Sequence, residues 1–361
     1  MVVPLGGSKL QPTWCAIMYA LASAALFGGS TPAAKHLLGT LDPVILAGLL
    51  YTGAGFGIGV VRRFPLRLRT TKAYQVPLQR SDLPWLAGAI AAGGVVGPIL
   101  LMLGLARTDA STASLLLTLE GAATALMAWF VFHENFDRRI AIGMLCIVAG
   151  AVILAWSGAP SLQSLLGPLA VCGACAAWAL DNNLTRKVSL SDPLQIVELK
   201  GVIAGPVNLA LGLWAGGTLP SLSASVFAGF VGFIGYGVSL ALFIVALRDL
   251  GTARTGAYFS TAPFLGALAA VVLLREPVTL QIVLAGLLMA IGVWLHVTEH
   301  HEHEHVHNPL VHEHPHLHDA HHQHEHLAGE PIGEPHTHVH EHVRMKHSHP
   351  HTPDMHHEHR H

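Results

Sequence analysis

Charge is what this sequence lacks most. Of 361 residues, 12% are Asp, Glu, Lys or Arg and 52% are hydrophobic, about half the charged share of an ordinary soluble domain. A mean hydropathy of +0.49 excludes a soluble enzyme, and equally a fibrous or unstructured chain. No enzyme activity is expected. Cysteine is scarce: Cys15, Cys146, Cys172 and Cys175 each sit in an apolar stretch, which argues against a disulfide framework. No basic stripe interleaved with aromatics occurs, so nucleic acid is not an implied partner. Up to residue 298 histidine is rare as well, with only His36, His133 and His296. A single cation, Lys9, precedes the first apolar run; the run is therefore expected to be an uncleaved helix and not a secretory signal.

What is present is a series of long apolar runs. A helix needs about 20 mainly apolar residues to cross the hydrocarbon of a bilayer, and ten stretches have that length: 14–36, 43–61, 84–105, 110–132, 139–157, 165–187, 193–214, 223–247, 253–274 and 279–297. Backbone amides in lipid must be satisfied within the segment or in a closed barrel. These runs are too long and too uniformly apolar for barrel strands. Trp14, Trp85, Trp156, Trp214 and Trp294 fall near run ends, where an amphipathic ring is comfortable at the membrane surface. With the N-terminus inside, 13 Lys/Arg flank the inner ends and 3 (Lys35, Arg107 and Arg275) the outer ends. Both termini are therefore expected in the cytoplasm of a multi-pass protein of the inner (plasma) membrane.

The chain also repeats itself. Asp42-Pro43 and Asp192-Pro193 open the second and seventh runs, and a shift of 142 lays Glu134 on Glu276, Ile140 on Ile282 and Gly150 on Gly292. Five runs per half make the second half insert upside down relative to the first, an arrangement in which solutes bind near the midplane between halves.

The half-ends 124–154 and 266–295 each read as an apolar helix, a Glu, a short link and a Gly-containing helix. This resembles the EamA-type repeat of the drug/metabolite transporter superfamily. The resemblance implies an all-α integral membrane fold of ten helices in two inverted five-helix repeats (14–157 and 165–297). It also implies transport of small organic solutes, often outward. Pro263 stands where that family commonly has a proline in its ninth helix, but the matching place in the fourth is Glu120-Gly121. Four-helix relatives that couple protons through a membrane-embedded Glu carry it in their first helix, so Glu120 does not inherit that role by position.

Charges deep in a bilayer are costly and generally face a cavity or a partner. Glu120 lies about 16 Å into its run at 1.5 Å per residue, which makes it either a substrate or proton site or a carboxyl hydrogen-bonded between helices. Asp181, Asn182 and Asn183 on the sixth run, and Glu198 and Lys200 on the seventh, flank a turn near 190–191. Asp181 and Lys200 are equally far from that turn, as are Asn183 and Glu198, so an Asp181–Lys200 ion pair is available, either lining a substrate path or pinning the hairpin. Asn208 could add a hydrogen bond or act as interhelical glue. Glu120, Asp181, Asn182, Asn183, Glu198, Lys200 and Asn208 are the expected substrate-pathway residues. Lys35 reads as a snorkelling anchor or vestibule cation, and Glu134 and Glu276 as solvated span ends. Cys172 and Cys175 read as small-residue packing, and Pro98, Pro206 and Pro263 as sources of kinks and freed carbonyls.

Residues 299–361 differ in kind: 24 His and 11 Asp/Glu among few large apolar residues, a composition expected to be disordered. His-x-His recurs at His301, His303 and His305, at His312, His314, His316 and His318, and at His336, His338 and His340. Such imidazoles can close around Ni²⁺, Zn²⁺, Co²⁺ or Cu²⁺; a cluster gaining charge as the cytosol acidifies is the competing reading. Three functions follow: a carrier of small organic solutes with a metal-binding tail and no required cofactor, a carrier of divalent transition metal fed by the tail, or a membrane-anchored metal store. The partners implied are the lipid bilayer, a small-molecule substrate and transition-metal ions, with a homodimer as an allowed assembly.

Overall fold

The computed structural model describes residues 14–63, 78–132, 138–156, 162–186, 188, 192–250 and 252–298, with the tail stretches 302–307, 310–316, 336–342 and 345–350. The chain divides into two units, Met1–Thr298 and Glu299–His361.

Among the described residues the regular elements of the first unit are helices. α1 is Trp14–Leu37 and α2 is Pro43–Arg63; α3 runs as Leu83–Ala89, a π turn Ile90–Val96 and Gly97–Leu105. α4 is broken into Ala110–Leu116 and Leu119–Phe132, followed by α5 (Arg138–Ala155), α6 (Leu162–Arg186) and α7 (Pro193–Trp214). α8 runs as Leu222–Gly232, a π turn Phe233–Val238 and Ser239–Leu250; α9 is broken into Thr252–Phe259 and Ala262–Leu274; α10 is Leu280–Val297. Nine helices among the described residues are long and apolar enough to cross a membrane, and a tenth apolar helix, Leu280–Leu295, falls below that length. Large apolar side chains such as Phe56, Val226, Leu268 and Leu287 point outward and remain exposed, as do Trp14, Trp156, Trp214 and Trp294. In water such a surface would be intolerable; against lipid it is what a multi-pass bundle presents.

The aspartates of the repeated Asp-Pro pairs start their helices. The Asp42 carboxylate accepts from the amides of Val44 (2.9 Å) and Ile45 (3.2 Å), and that of Asp192 from Leu194 (2.9 Å), satisfying donors that have no partner in the first turn. α2 packs on α7 and α5 on α10; α1 lies against α8 and α9, and α6 against α3 and α4. The approach of α2 to its neighbours requires glycine. A Cβ on Gly53 would stand 2.0 Å from the Gly229 carbonyl oxygen, and one on Gly55 2.5 Å from the amide nitrogen of Val202. Small residues allow such backbone contact between membrane helices.

The tail, expected to lack regular structure, contains four strands: β1 (Glu302–His307), β2 (Leu310–His316), β3 (His336–His342) and β4 (Met345–Pro350). β1 pairs antiparallel with β4 and β2 with β3. The expectation rested on how little apolar surface the tail can bury. The period of two in His-x-His is also a strand period, and the pairing follows it.

Candidate functional site

The site starts from a proline. Pro98 has no amide hydrogen, so it offers no intrahelical donor to the carbonyls four and five residues before it, Gly94 and Gly93. The Gly97 amide bonds back to the Ala92 oxygen in the π pattern. Three side chains from three other helices supply the missing donors. Tyr51 Oη of α2 (2.8 Å) and Trp178 Nε1 of α6 (3.0 Å) both donate to the Gly93 oxygen, and Asn208 Nδ2 of α7 donates to that of Gly94 (3.0 Å).

Against this knot lies an ion pair. Lys200 Nζ of α7 stands 2.5 Å from Asp181 Oδ1 of α6, and Thr185 Oγ1 bridges them, donating to Asp181 Oδ1 (2.8 Å) and accepting from Lys200 (3.0 Å). The other oxygen of Asp181 is packed so closely on Gly93 that a Cβ there would meet it at 1.9 Å. Equal depth on an antiparallel hairpin brings the two residues together, and Asp181 is buried.

Glu120 sits at the start of the second segment of α4, immediately after the break at Leu117-Thr118. Its Oε1 accepts from Asn182 Nδ2 (3.0 Å), and Asn182 also reaches Thr124 Oγ1 (3.3 Å). Asn183, which is buried, donates to the Ala179 carbonyl of its own helix (2.8 Å) and to that of Thr124 (3.4 Å). Glu120 is half-buried.

The exposed residues here lie off the outward-facing stripes of their helices. Asn182 is exposed, yet it shares a helical stripe with buried Cys175 and Trp178 and lies about 200° round α6 from the outward-facing Leu180. Half-buried Tyr51 is about 180° from outward-facing Val60 on α2, and half-buried Phe27 stands in the same relation to Met18 on α1. Side chains here face away from the outer surface and still keep accessible area. Aromatic rings cluster beside Tyr51. Tyr51 and Tyr236 have centroids 5.7 Å apart, Phe27 meets Tyr236 edge-on at 5.7 Å, and Phe27 and Phe259 lie 5.4 Å apart.

Two expected residues are placed elsewhere. Glu198 does not join Asn183 or Lys200; it is bound by Arg62 and by Arg63 (2.8 Å) at the end of α2, where Arg62 also pairs with Asp192 (3.2 Å). Asn208 is fully buried, holding the Gly94 carbonyl. Two further polar residues tie helix ends together. Lys35 Nζ donates to the carbonyls of Leu105 (2.7 Å) and Thr108 (2.9 Å). Glu276, read from sequence as a solvated span end, receives the amides of Ala110 (2.7 Å) and Ser111 (2.8 Å). Glu134 lies outside the described residues. Tyr51, Trp178 and Tyr236 were not among the expected residues; the signal for the first two was Pro98, whose orphaned carbonyls need donors.

Among the described residues no group of three or more His, Cys, Asp or Glu is placed to hold a metal ion. Of the tail histidines expected to bind metal, His301 and His318 lie outside the described residues. The others, His303, His305, His312, His314, His316, His336, His338 and His340, are described through their strands' backbone only.

The model of the EamA-like transporter family matches the chain twice, over residues 14–156 and 165–298. An uncharacterized transporter of Methanothermobacter thermautotrophicus is 28% identical over 306 residues, covering 81% of this chain and 88% of that protein. A protein of Pseudomonas aeruginosa named probable 4-amino-4-deoxy-L-arabinose-phosphoundecaprenol flippase subunit ArnE is 38% identical over 111 residues, 31% of this chain and 93% of its own length. One solved crystal structure superposes with a TM-score of 0.55 at 16% identity, covering 78% of this chain and 96% of the other, which is a likeness of fold.

Proposed function

The chain belongs to the EamA-like transporter family, and from that premise we propose that it moves a small organic metabolite or drug-like solute out of the cell by alternating access around the cleft of Glu120, Asp181, Asn182 and Lys200. The observation carrying this reading is the Glu120–Asn182 contact, which joins a half-buried carboxylate to an exposed amide lying opposite the outward-facing stripe of α6. A structural carboxyl would be enclosed. One at a cleft is available to a solute.

Alternating access needs two halves that can exchange roles, and the helix boundaries support an inverted pair of five-helix repeats. A shift of 142 takes Arg138–Ala155 onto Leu280–Val297 at both ends. The same shift takes the start of α4 at Ala110 onto the start of α9 at Thr252, and the end of the π turn at Val96 onto that at Val238. The packing respects the exchange. α2 on α7 and α5 on α10 pair with their own counterparts, whereas α1 on α9 becomes α6 on α4, and α1 on α8 becomes α6 on α3. On this reading α10 is the tenth span, both termini are cytoplasmic by the Lys/Arg bias, and the membrane is the inner (plasma) membrane.

The tail is proposed as a cytosolic binder of Ni²⁺, Zn²⁺, Co²⁺ or Cu²⁺ that regulates or buffers and is not the cargo path. Its strand register supports this. His312, His314 and His316 stand opposite His340, His338 and His336, so alternation collects six imidazole-bearing positions on one face. The reading is tested with the full chain in a strain deleted for it, challenged with a panel of amines, amino acids, drugs and metal salts. Expression should lower accumulation of an organic compound, and Glu120→Gln should abolish that effect without loss of membrane-inserted protein. Export that is untouched by Glu120→Gln defeats the assignment of the cleft.

A further inference from the structure

We propose that the cleft selects solutes carrying a single positive charge, protonated amines and other organic monocations; the inference rests on the transporter reading above and narrows its substrate class. It comes from a count of charges. Lys200 is committed to Asp181 and Thr185, so that pair is neutral as a unit. Glu120 remains, and the donor on its carboxylate is the uncharged amide of Asn182. Other described cations near the bundle interior are engaged elsewhere: Lys35 on the carbonyls of Leu105 and Thr108, and Arg62 and Arg63 on Glu198 and Asp192. Among the described residues the cleft therefore has one carboxylate in excess.

An excess charge in a site of low dielectric attracts a counter-charge strongly and repels its own sign. The adjoining wall has the matching chemistry. Tyr51 donates to the Gly93 carbonyl, on whose residue Asp181 is packed, and stacks toward Tyr236, whose ring meets that of Phe27 edge-on. Aromatic faces are attractive to ammonium groups and tolerant of the apolar body attached to them. An anion would face the carboxylate of Glu120, which among the described residues has no cation against it. A zwitterion would place its carboxylate well only by breaking the bond between Lys200 and Asp181.

The test uses full-length protein in nanodiscs and four probes of nearly one shape: benzylamine (+1), benzyl alcohol (neutral), benzoate (−1) and phenylalanine (zwitterion), with binding read by calorimetry. Benzylamine should bind at least tenfold more tightly than the other three. Glu120→Gln should lower its affinity at least tenfold with little change for benzyl alcohol, and Glu120→Asp, which keeps the charge, should keep the preference. Benzylamine binding that survives Glu120→Gln unchanged overturns the proposal, as does a lack of benzylamine binding or equal binding of the neutral probe. Tighter binding of benzoate or phenylalanine overturns the charge assignment and leaves the carrier reading standing. The carrier reading fails separately if reconstituted vesicles show no saturable flux of any probe that binds.

Discussion

The carboxylate of Glu276 holds the amide of Ala110 at 2.7 Å, so a residue of the second half caps the broken fourth helix of the first. Its other oxygen takes the Ser111 amide, and the two bonds satisfy donors that the start of α4 would leave unpaired. The residue before it, Arg275, has a φ of 57°, a left-handed conformation in which a non-glycine residue stores on the order of 1 kcal/mol. That strain persists because the turn aims Glu276 at α4. Glu276→Ala should cost about 1–2 kcal/mol, the range of a lost cap. Arg275→Gly relieves the strain, keeps the cap, and should raise the unfolding temperature. Thermal unfolding in detergent, followed by circular dichroism, measures both; a Glu276→Ala protein as stable as the parent would remove the cap from the account.

The Asp181–Lys200 pair separates a structural from a functional role. Removing one partner leaves a charge without its counter-ion in a half-dry site, so Asp181→Asn and Lys200→Met should each destabilise strongly, by about 3–5 kcal/mol where such pairs are buried. The double replacement Asp181→Leu with Lys200→Met should recover much of the loss, since paired charges contribute little net stability. Transport should not recover. A double variant that is stable and fully active would demote the pair to a staple of the α6–α7 hairpin.

Much of this arrangement is legible before folding. Asp181 and Lys200 meet because equal offsets from an antiparallel turn mean equal depth, and Asp42 and Asp192 cap because Asp-Pro is a helix start. Glu198 shows where offset reasoning ends: depth along α7 says nothing about Arg62 and Arg63, which arrive from α2, 135 or more residues earlier. Glu276 was hidden for the same reason, since the amides it caps belong to the other half. Tyr51 and Trp178 were obscured in another way. An aromatic ring in an apolar run looks like core, and its polar atom becomes informative only when the Gly93 oxygen is known to lack a donor.

The tail should be separable. Because it forms its own unit after Thr298, the chain ending at 298 should insert, unfold at the same temperature within error, and transport as before in metal-free buffer. It should lose tight Ni²⁺ or Zn²⁺ binding measured by calorimetry. If the truncated protein still retains the metal with equal affinity, the histidines are not its ligands.

Pro98 and Asn208 should be coupled through a carbonyl they do not both touch. Asn208→Ala takes the donor from the Gly94 oxygen, and an unsatisfied buried acceptor costs about 1–3 kcal/mol. Pro98→Ala restores a backbone amide four residues after Gly94, one that an α-helical turn directs at the same oxygen. Asn208→Ala should therefore be less damaging in a Pro98→Ala background than in the parent, by about 1 kcal/mol. Additive losses, measured as unfolding free energies over the four members of the cycle, would mean that the π turn is held by side-chain packing and not by the missing amide of Pro98. The sign of the coupling also reports on the cleft. Asp181 is packed on the Gly93 backbone, so straightening α3 should shift the Asp181–Lys200 pair and lower transport even where stability is regained.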